Sequence, residues 1–300
     1  MTDVVHWPTK TRELQSRLFD STIWDDFRFR EDDIVIATYP KAGTTWMQQI
    51  VAQLLFDGDP AIVVGRLSPW VEMRLPPKAE KLAMLEAQTH RRFVKTHLPL
   101  DALVFSPQAR YVYVARDGRD VAWSYHHHLH NTTQAFRDRF NNLPGGVGPP
   151  LVAPSPDVRL FWRRWLEDGG VGAQSFWVHL RTWWVIRDLS NVLLVHYARL
   201  KADLPGEMRR VAAFLNIPID EARWDAIMEH CSFDWMKANA NRTAISTVSA
   251  WDEPETFFHR GVNGRWAETL APEEIVAYEA RAVHELGEDC ARWLATGQLQ

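Results

Sequence analysis

Apolar residues along the chain change their period at definable points. Residues 33–38 (Asp-Ile-Val-Ile-Ala-Thr) form a short β-branched run bounded by Pro40 and Gly43, which predicts a buried strand. From Thr45 the spacing becomes helical. Met47, Ile50, Val51, Leu54 and Leu55 recur on one face, and Gly58 stands where a helix stops. The alternation then repeats. Residues 92–96, 110–115 and 191–197 read as further strands. Leu14 and Leu18 predict a short helix over 12–19. Asp117 is placed to cap a helix running to about residue 131. A helix is predicted over 174–189, with Trp177, Leu180, Trp184 and Leu189 roughly on one face. Others follow at about 203–215, 220–230 and 272–295.

Strands alternating with helices imply one α/β domain over 1–300: a central, mostly parallel sheet flanked by helices. In such sheets ligands sit at the carboxyl ends of the strands. Residues 40–45, 95–97 and 116–120 would then share one rim. No repeat, low-complexity tract or linker interrupts the chain. Two segments resist assignment to either element. Residues 141–157 carry Pro144, Pro149, Pro150, Pro154 and Pro156 with Gly145, Gly146 and Gly148, and read as a long loop. Residues 239–264 are also loop-like. Both are expected to act as lids.

Composition narrows the class. Of 300 residues, 46% are hydrophobic and 24% charged, the balance of an ordinary globular protein rather than a disordered or collagen-like one. Lys+Arg is 34 against Asp+Glu 38, a net charge of −4, so bulk charge gives no nucleic-acid footprint. A local basic site for a small anion stays open. Cys231 and Cys290 build no disulfide framework and fit no zinc spacing, and the expected location is cytoplasmic. The first residues lack the basic and apolar regions of a signal peptide. No apolar run approaches the ~18 residues of a membrane span. The excess of Trp (15) over Tyr (6) fits either a Trp-rich core or an aromatic-walled pocket.

The candidate chemistry begins at Tyr39-Pro40-Lys41-Ala42-Gly43-Thr44-Thr45-Trp46, between a strand and a helix. A helix N-terminus offers free N–H groups and a positive dipole end. Gly43 lets the backbone approach an anion, Thr44 and Thr45 add hydroxyls, and Lys41 adds charge. This P-loop-like cradle is not a Walker A loop, in which the Lys follows the last Gly directly. A second strand-to-helix passage runs through residues 114–124. Arg116 stands at its strand end, suited to gripping a phosphate, and Ser124 lies about two turns down the helix. Internal salt bridges are the structural alternative for Arg116, Asp117, Arg119 and Asp120, notably for Asp120. His259-Arg260-Gly261 is the third piece.

These strings occur in one order with residues 93–97 (Phe-Val-Lys-Thr-His), Trp183-Trp184, His196-Tyr197, residues 231–237 and the segment 257–266. Together they strongly resemble the cytosolic-type sulfotransferases that use 3′-phosphoadenosine 5′-phosphosulfate (PAPS). Ser68-Pro69-Trp70 and residues 90–101 look closest to a bacterial branch that includes glycolipid sulfotransferases. The resemblance implies that Lys41, Ala42, Gly43, Thr44 and Thr45 hold the 5′-phosphosulfate. It implies Arg116, Ser124, Arg260 and Gly261 at the 3′-phosphate, with Phe258 and His259 beside them, and Trp46, Tyr197 and Phe233 around the adenine. His97 would be the catalytic base, with Lys41 and Lys95 beside the reacting group.

The chain also departs from the family. Ala42 replaces a common Ser, losing a hydroxyl but keeping its N–H. His259 replaces an Arg, which predicts nucleotide binding that weakens as pH rises. Cys231 replaces a Thr near the adenine, and Arg265 replaces an Asp. The short dimerisation motif is not present in 267–274, so the oligomeric state is left open.

The chemistry fits these residues. Charge grows on the bridging oxygen as a sulfuryl group leaves, Lys41 answers it, and no metal is required. A base near neutral pH suits His97. His126, His127, His128 and His130 suggest a metal, but no third ligand stands at usable spacing; some are expected to face solvent and one or two to line the acceptor pocket. Phe161, Trp162, Trp165, Phe176, Trp177, Trp183 and Trp184 divide between core and acceptor wall, which suits a hydrophobic hydroxyl compound or glycolipid. The competing readings are a P-loop kinase or hydrolase and a catalytically silent nucleotide-binding protein.

Overall fold

The computed structural model describes residues 6–244 and 250–299. Among them, β1 (Ile34–Thr38), β2 (Phe93–Thr96), β3 (Arg110–Ala115) and β4 (Val192–His196) form a four-stranded sheet in the order β2-β1-β3-β4. Every pairing is parallel. Ile34 sits against Phe93 and Arg110, and Tyr111 against Val192. All five residues of β1 are buried, because both faces of the sheet are covered.

Strand alternation divides the core in two. Ile34, Ile36, Val112 and Val114 pack with α1 (Thr44–Leu55) and α5 (Leu204–Leu215). Val35, Ala37, Tyr111 and Tyr113 point the other way, into a cluster holding Trp24, Trp162, Trp165, Trp177, Trp183 and Trp293. Much of the tryptophan excess is therefore core. That second face is built from α2 (Gly118–His130), α3 (Val158–Asp168), α4 (Phe176–Trp184), α7 (Pro272–Leu286) and α8 (Glu288–Thr296). The remaining labelled helix, α6 (Trp224–His230), lies against α1.

Local chemistry explains where the expected elements differ. Residues 12–19 are not helical. The Ser16 hydroxyl accepts from the N–H groups of Leu18 and Phe19, and Ser21 accepts from Leu14, so side chains hold a tight turn that brings Gln15 antiparallel to Asp20. The predicted 174–189 helix starts later and stops sooner. Gln174–Ser175 pairs antiparallel with Gly170–Val171, and the Ser175 hydroxyl caps α4. The predicted 272–295 helix is broken at Gly287 (φ 76°). Asp117 does cap α2, accepting from Arg119 N at 2.8 Å. Loop 141–157 is tied down. Arg17 donates to Gly148 O and Asn141 O, Arg74 to Gly145 O and Pro144 O, and the Asn141 amide pairs with the Leu151 backbone in both directions.

Gly118 joins β3 to α2 where there is no room for a side chain. A Cβ would stand 2.7 Å from the Tyr278 hydroxyl and 2.8 Å from the Phe176 ring, and Gly118 N donates to that hydroxyl at 2.9 Å. Gly118→Ala is expected to lose about 1–3 kcal/mol by overpacking. Urea denaturation measures it; an unchanged midpoint would mean that Tyr278 moves aside at no cost.

Candidate functional site

The strand ends carry the site residues. After β1, Lys41 adopts φ 72° and Gly43 φ 121°, and a Cβ on Gly43 would stand 3.0 Å from the Tyr197 ring. This turn opens α1, whose first N–H groups have no partner within the helix. Ala42 keeps its N–H inside the turn. Its side chain is buried and its N–H donates to Tyr39 O at 3.2 Å. The Thr44 hydroxyl is bonded to that of Thr38 at 2.6 Å. Lys41 Nζ donates to His128 Nδ1 at 3.2 Å and lies 4.1 Å over the Phe257 ring. Burial, then Lys95 and Arg116, push its pKa down to about 7.

His97 is the first residue after β2. Its Nδ1 stands 2.9 Å from Thr38 O, and a carbonyl can only accept, so Nδ1 carries the proton and Nε2 the lone pair. Its backbone is fixed from both sides. His97 N donates to Glu72 Oε1 at 2.6 Å, and Gln174 Nε2 donates to His97 O at 2.8 Å. Glu72 is itself buried. It accepts also from the Thr96 hydroxyl (3.0 Å) and Trp24 Nε1 (3.1 Å), and burial raises its pKa. Burial, then Lys95, lower His97 to about 3 in the free protein. Lys95, one residue earlier, is lowered to about 8 by burial.

Arg116 follows β3. Its Nε and Nη2 donate to Asn263 Oδ1 at 3.0 and 2.8 Å, Nη2 also to Val262 O at 3.1 Å, and the guanidinium lies 4.2 Å over the Tyr197 ring. Of the acidic neighbours, Asp117 pairs with Arg119 at 2.7 Å. Asp120 instead accepts from Gly264 N at 2.9 Å, and burial raises it to about 6. Tyr197, the residue after β4, meets Trp46 edge-on at 5.3 Å between ring centres, and Trp46 Nε1 donates to Cys231 O at 2.8 Å. Gly261 (φ 62°) brings the backbone against Phe233; a Cβ there would be 2.6 Å from that ring. His259 stacks on His127 with centroids 3.9 Å apart, 8° from parallel. Burial, then His127 and Arg265, hold it down to about 4. The imidazole is thus neutral through the neutral range, and the pH dependence expected from His259 moves to acid.

One cavity of about 850 Å³ gathers these groups: Lys41, Gly43, Thr44, Thr45 and Trp46 from the first turn, with Lys95 and His97. Arg116, Ser124, Tyr197 and Phe233 join from the other strand ends, and Phe258, His259, Arg260 and Gly261 from the C-terminal segment. Of the predicted site residues, Ala42 alone stays outside. His127 and His128 enter the cavity, while His126 bonds Ser155 O at 2.7 Å. Among the described residues no cluster of three His, Cys, Asp or Glu could hold a metal. No helix there is long and apolar enough to cross a membrane.

Residues 31–287 match the sulfotransferase domain family. The chain belongs to the sulfotransferase family. It is similar to the glycolipid sulfotransferase of Mycobacterium bovis (strain BCG / Pasteur 1173P2), 34% identical over 95% of this chain and 94% of the relative. Sulfotransferase 1B1 of Mus musculus is 30% identical over 85% and 83%. Mouse sulfotransferase SULT7A1 complexed with PAP shares the fold at TM-score 0.72 and 23% identity, covering 91% of each chain. Retinol dehydratase in complex with androsterone and PAP does so at 0.68 and 23%, over 89% and 84%. This assignment replaces the kinase reading.

Glu72, Gln174 and Asn263 hold the enzyme's strand-end residues but carry no motif, so sequence reasoning passed over them. The Glu72 pattern has a measurable consequence. Glu72→Ala would strand three buried donors and leave Lys95 and Lys81 without their carboxylate. The expected loss is about 3–5 kcal/mol by chemical denaturation. Glu72→Gln keeps an acceptor for His97 N–H and is expected to lose less; equal losses would place the weight on charge.

Proposed function

We propose that this sulfotransferase moves a sulfuryl group from PAPS to the hydroxyl of a hydrophobic small molecule or lipid, with His97 as base and Lys41 at the leaving oxygen. One observation carries the reading: a His97 tautomer with its lone pair on Nε2 shares a cavity with Lys41 at a helix N-terminus. The glycolipid relative and the PAP-complexed neighbours support the substrate classes.

The residues fit the nucleotide. Glycine is required at 43 and 261 for backbone to line the cavity, and Trp46, Tyr197, Phe233 and Phe258 offer aromatic faces. In this reading Lys41, Gly43, Thr44 and Thr45 hold the 5′ end, and Arg116, Ser124, Arg260 and Gly261 hold the 3′-phosphate. Bound PAPS supplies an activated sulfuryl group. His97 Nε2 takes the acceptor proton. Its low pKa in the free protein comes partly from Lys95 and Lys41, and an anionic ligand offsets both, making the ring a stronger base when occupied. Lys41 meets charge developing on the leaving oxygen, and Lys95 adds to the field. Trp70, Met73, Leu75, Phe136 and Leu151 form an apolar acceptor wall. Segments 141–157 and 239–264 close over the site; residues 245–249 of the second lie outside the described residues.

Calorimetry with PAP, AMP and ATP tests the nucleotide site. PAP is expected to bind tightest, and equal or better ATP binding would overturn the reading. His97→Ala is expected to lower kcat by roughly 10²–10⁴ while leaving PAP affinity nearly unchanged; full turnover would remove His97 as base and retained PAP binding without any turnover in the wild type would favour the silent binding protein. Lys41 gives the pH sign. An anion favours its protonated form, so above pH about 7 binding requires proton uptake. PAP affinity should then fall by up to about tenfold per pH unit, and Lys41→Met should flatten that slope.

A further inference from the structure

We propose that Arg265 is a nucleotide-binding residue: its guanidinium supplies, at the 3′-phosphate, the fixed charge that position 259 lacks, with the His127–His259 stack as the platform that aims it. This rests on the nucleotide reading above.

Arg116 cannot grip a phosphate with its whole fork as it stands, because Nε and Nη2 are engaged by Asn263 and Val262. A dianionic phosphate there needs further cations. Arg265 lines the same cavity as Arg116, Ser124 and Arg260, and it lies within electrostatic reach of Arg260 and Arg116 and of the carboxylates of Asp120 and Glu268. Its hydrogen-bond partner among the described residues is a ring nitrogen, not a carboxylate: Nη1 donates to His259 Nδ1 at 2.7 Å.

The proton positions agree throughout. His259 Nδ1 accepts from Arg265, so it carries no proton. His127 Nε2 lies 3.2 Å from Thr256 O and must donate, which leaves Nδ1 to accept from the Asn131 amide at 3.2 Å. Two neutral imidazoles can therefore stack face to face beside a guanidinium without repulsion. The backbone of Arg265 is pinned as well. Gly264 N is bonded to Asp120, and Trp266 lies 3.8 Å under the Arg119 guanidinium. The side chain itself lines the cavity, with Nη1 held by His259.

The experiment is calorimetric titration of full-length wild type and R265Q with PAP and with AMP, which lacks the 3′-phosphate, at fixed salt and pH. R265Q is expected to lose about 10–100-fold in PAP affinity with AMP affinity within about twofold, the range of a charge-assisted phosphate contact. R265K should recover part of the loss, and H259A should give a smaller loss confined to PAP. Unchanged PAP affinity in R265Q overturns the inference. So does an equal loss for PAP and AMP, which would mark Arg265 as a structural support of the loop. A wild type that does not distinguish PAP from AMP overturns the nucleotide reading itself, a result separable from either.

Discussion

Parallel pairing is the constraint on which the rest depends. Strands that run the same way in register must end at the same rim, with Ala37 beside Thr96, Thr38 beside Val114 and Ala115 beside His196. The residue or turn that follows each end is then a neighbour of the others, however far apart they lie in the chain. The Lys41 turn, His97, Arg116 and Tyr197 are the four such followers. The fold does not merely carry this site; hydrogen bonding between the strands assembles it.

That assembly brings like charges together. Burial, then Lys95 and Arg116, lower Lys41, and two buried carboxylates nearby are bonded to backbone. Glu72 holds the backbone of His97, and Asp120 holds Gly264. Stability alone would not select such an arrangement. A polyanion in the cavity would offset this concentration of positive charge.

The sheet was legible because strands buried on both faces read as uninterrupted apolar runs between turn residues. The cap at Asp117 and the turn at Gly43 were legible for the same local reason. Residues 12–19 were not, since Ser16 and Ser21 take backbone N–H groups that a helix would need. Much of the rest was tertiary. Ala42 keeps its N–H, but only the turn's dihedrals show that Tyr39 holds it. His259 reads as a titrating substitute for arginine until His127 arrives from a helix far earlier in the chain. Glu72 is a lone carboxylate in a loop, without spacing or partners visible in the sequence.

The C-terminal segment that lines one end of the cavity also sets when the site can exist. All four strands have been synthesised once residue 196 is made, and they emerge from the ribosome ahead of the C-terminal segment. Phe257, His259, Arg260, Gly261 and Arg265 come later. Domains begin to organise during synthesis, but a nascent chain stopped short of this segment carries His97 without the residues that complete the cavity. Ligand stabilises only what it binds. A ligand in this cavity would therefore protect only chains that include this segment.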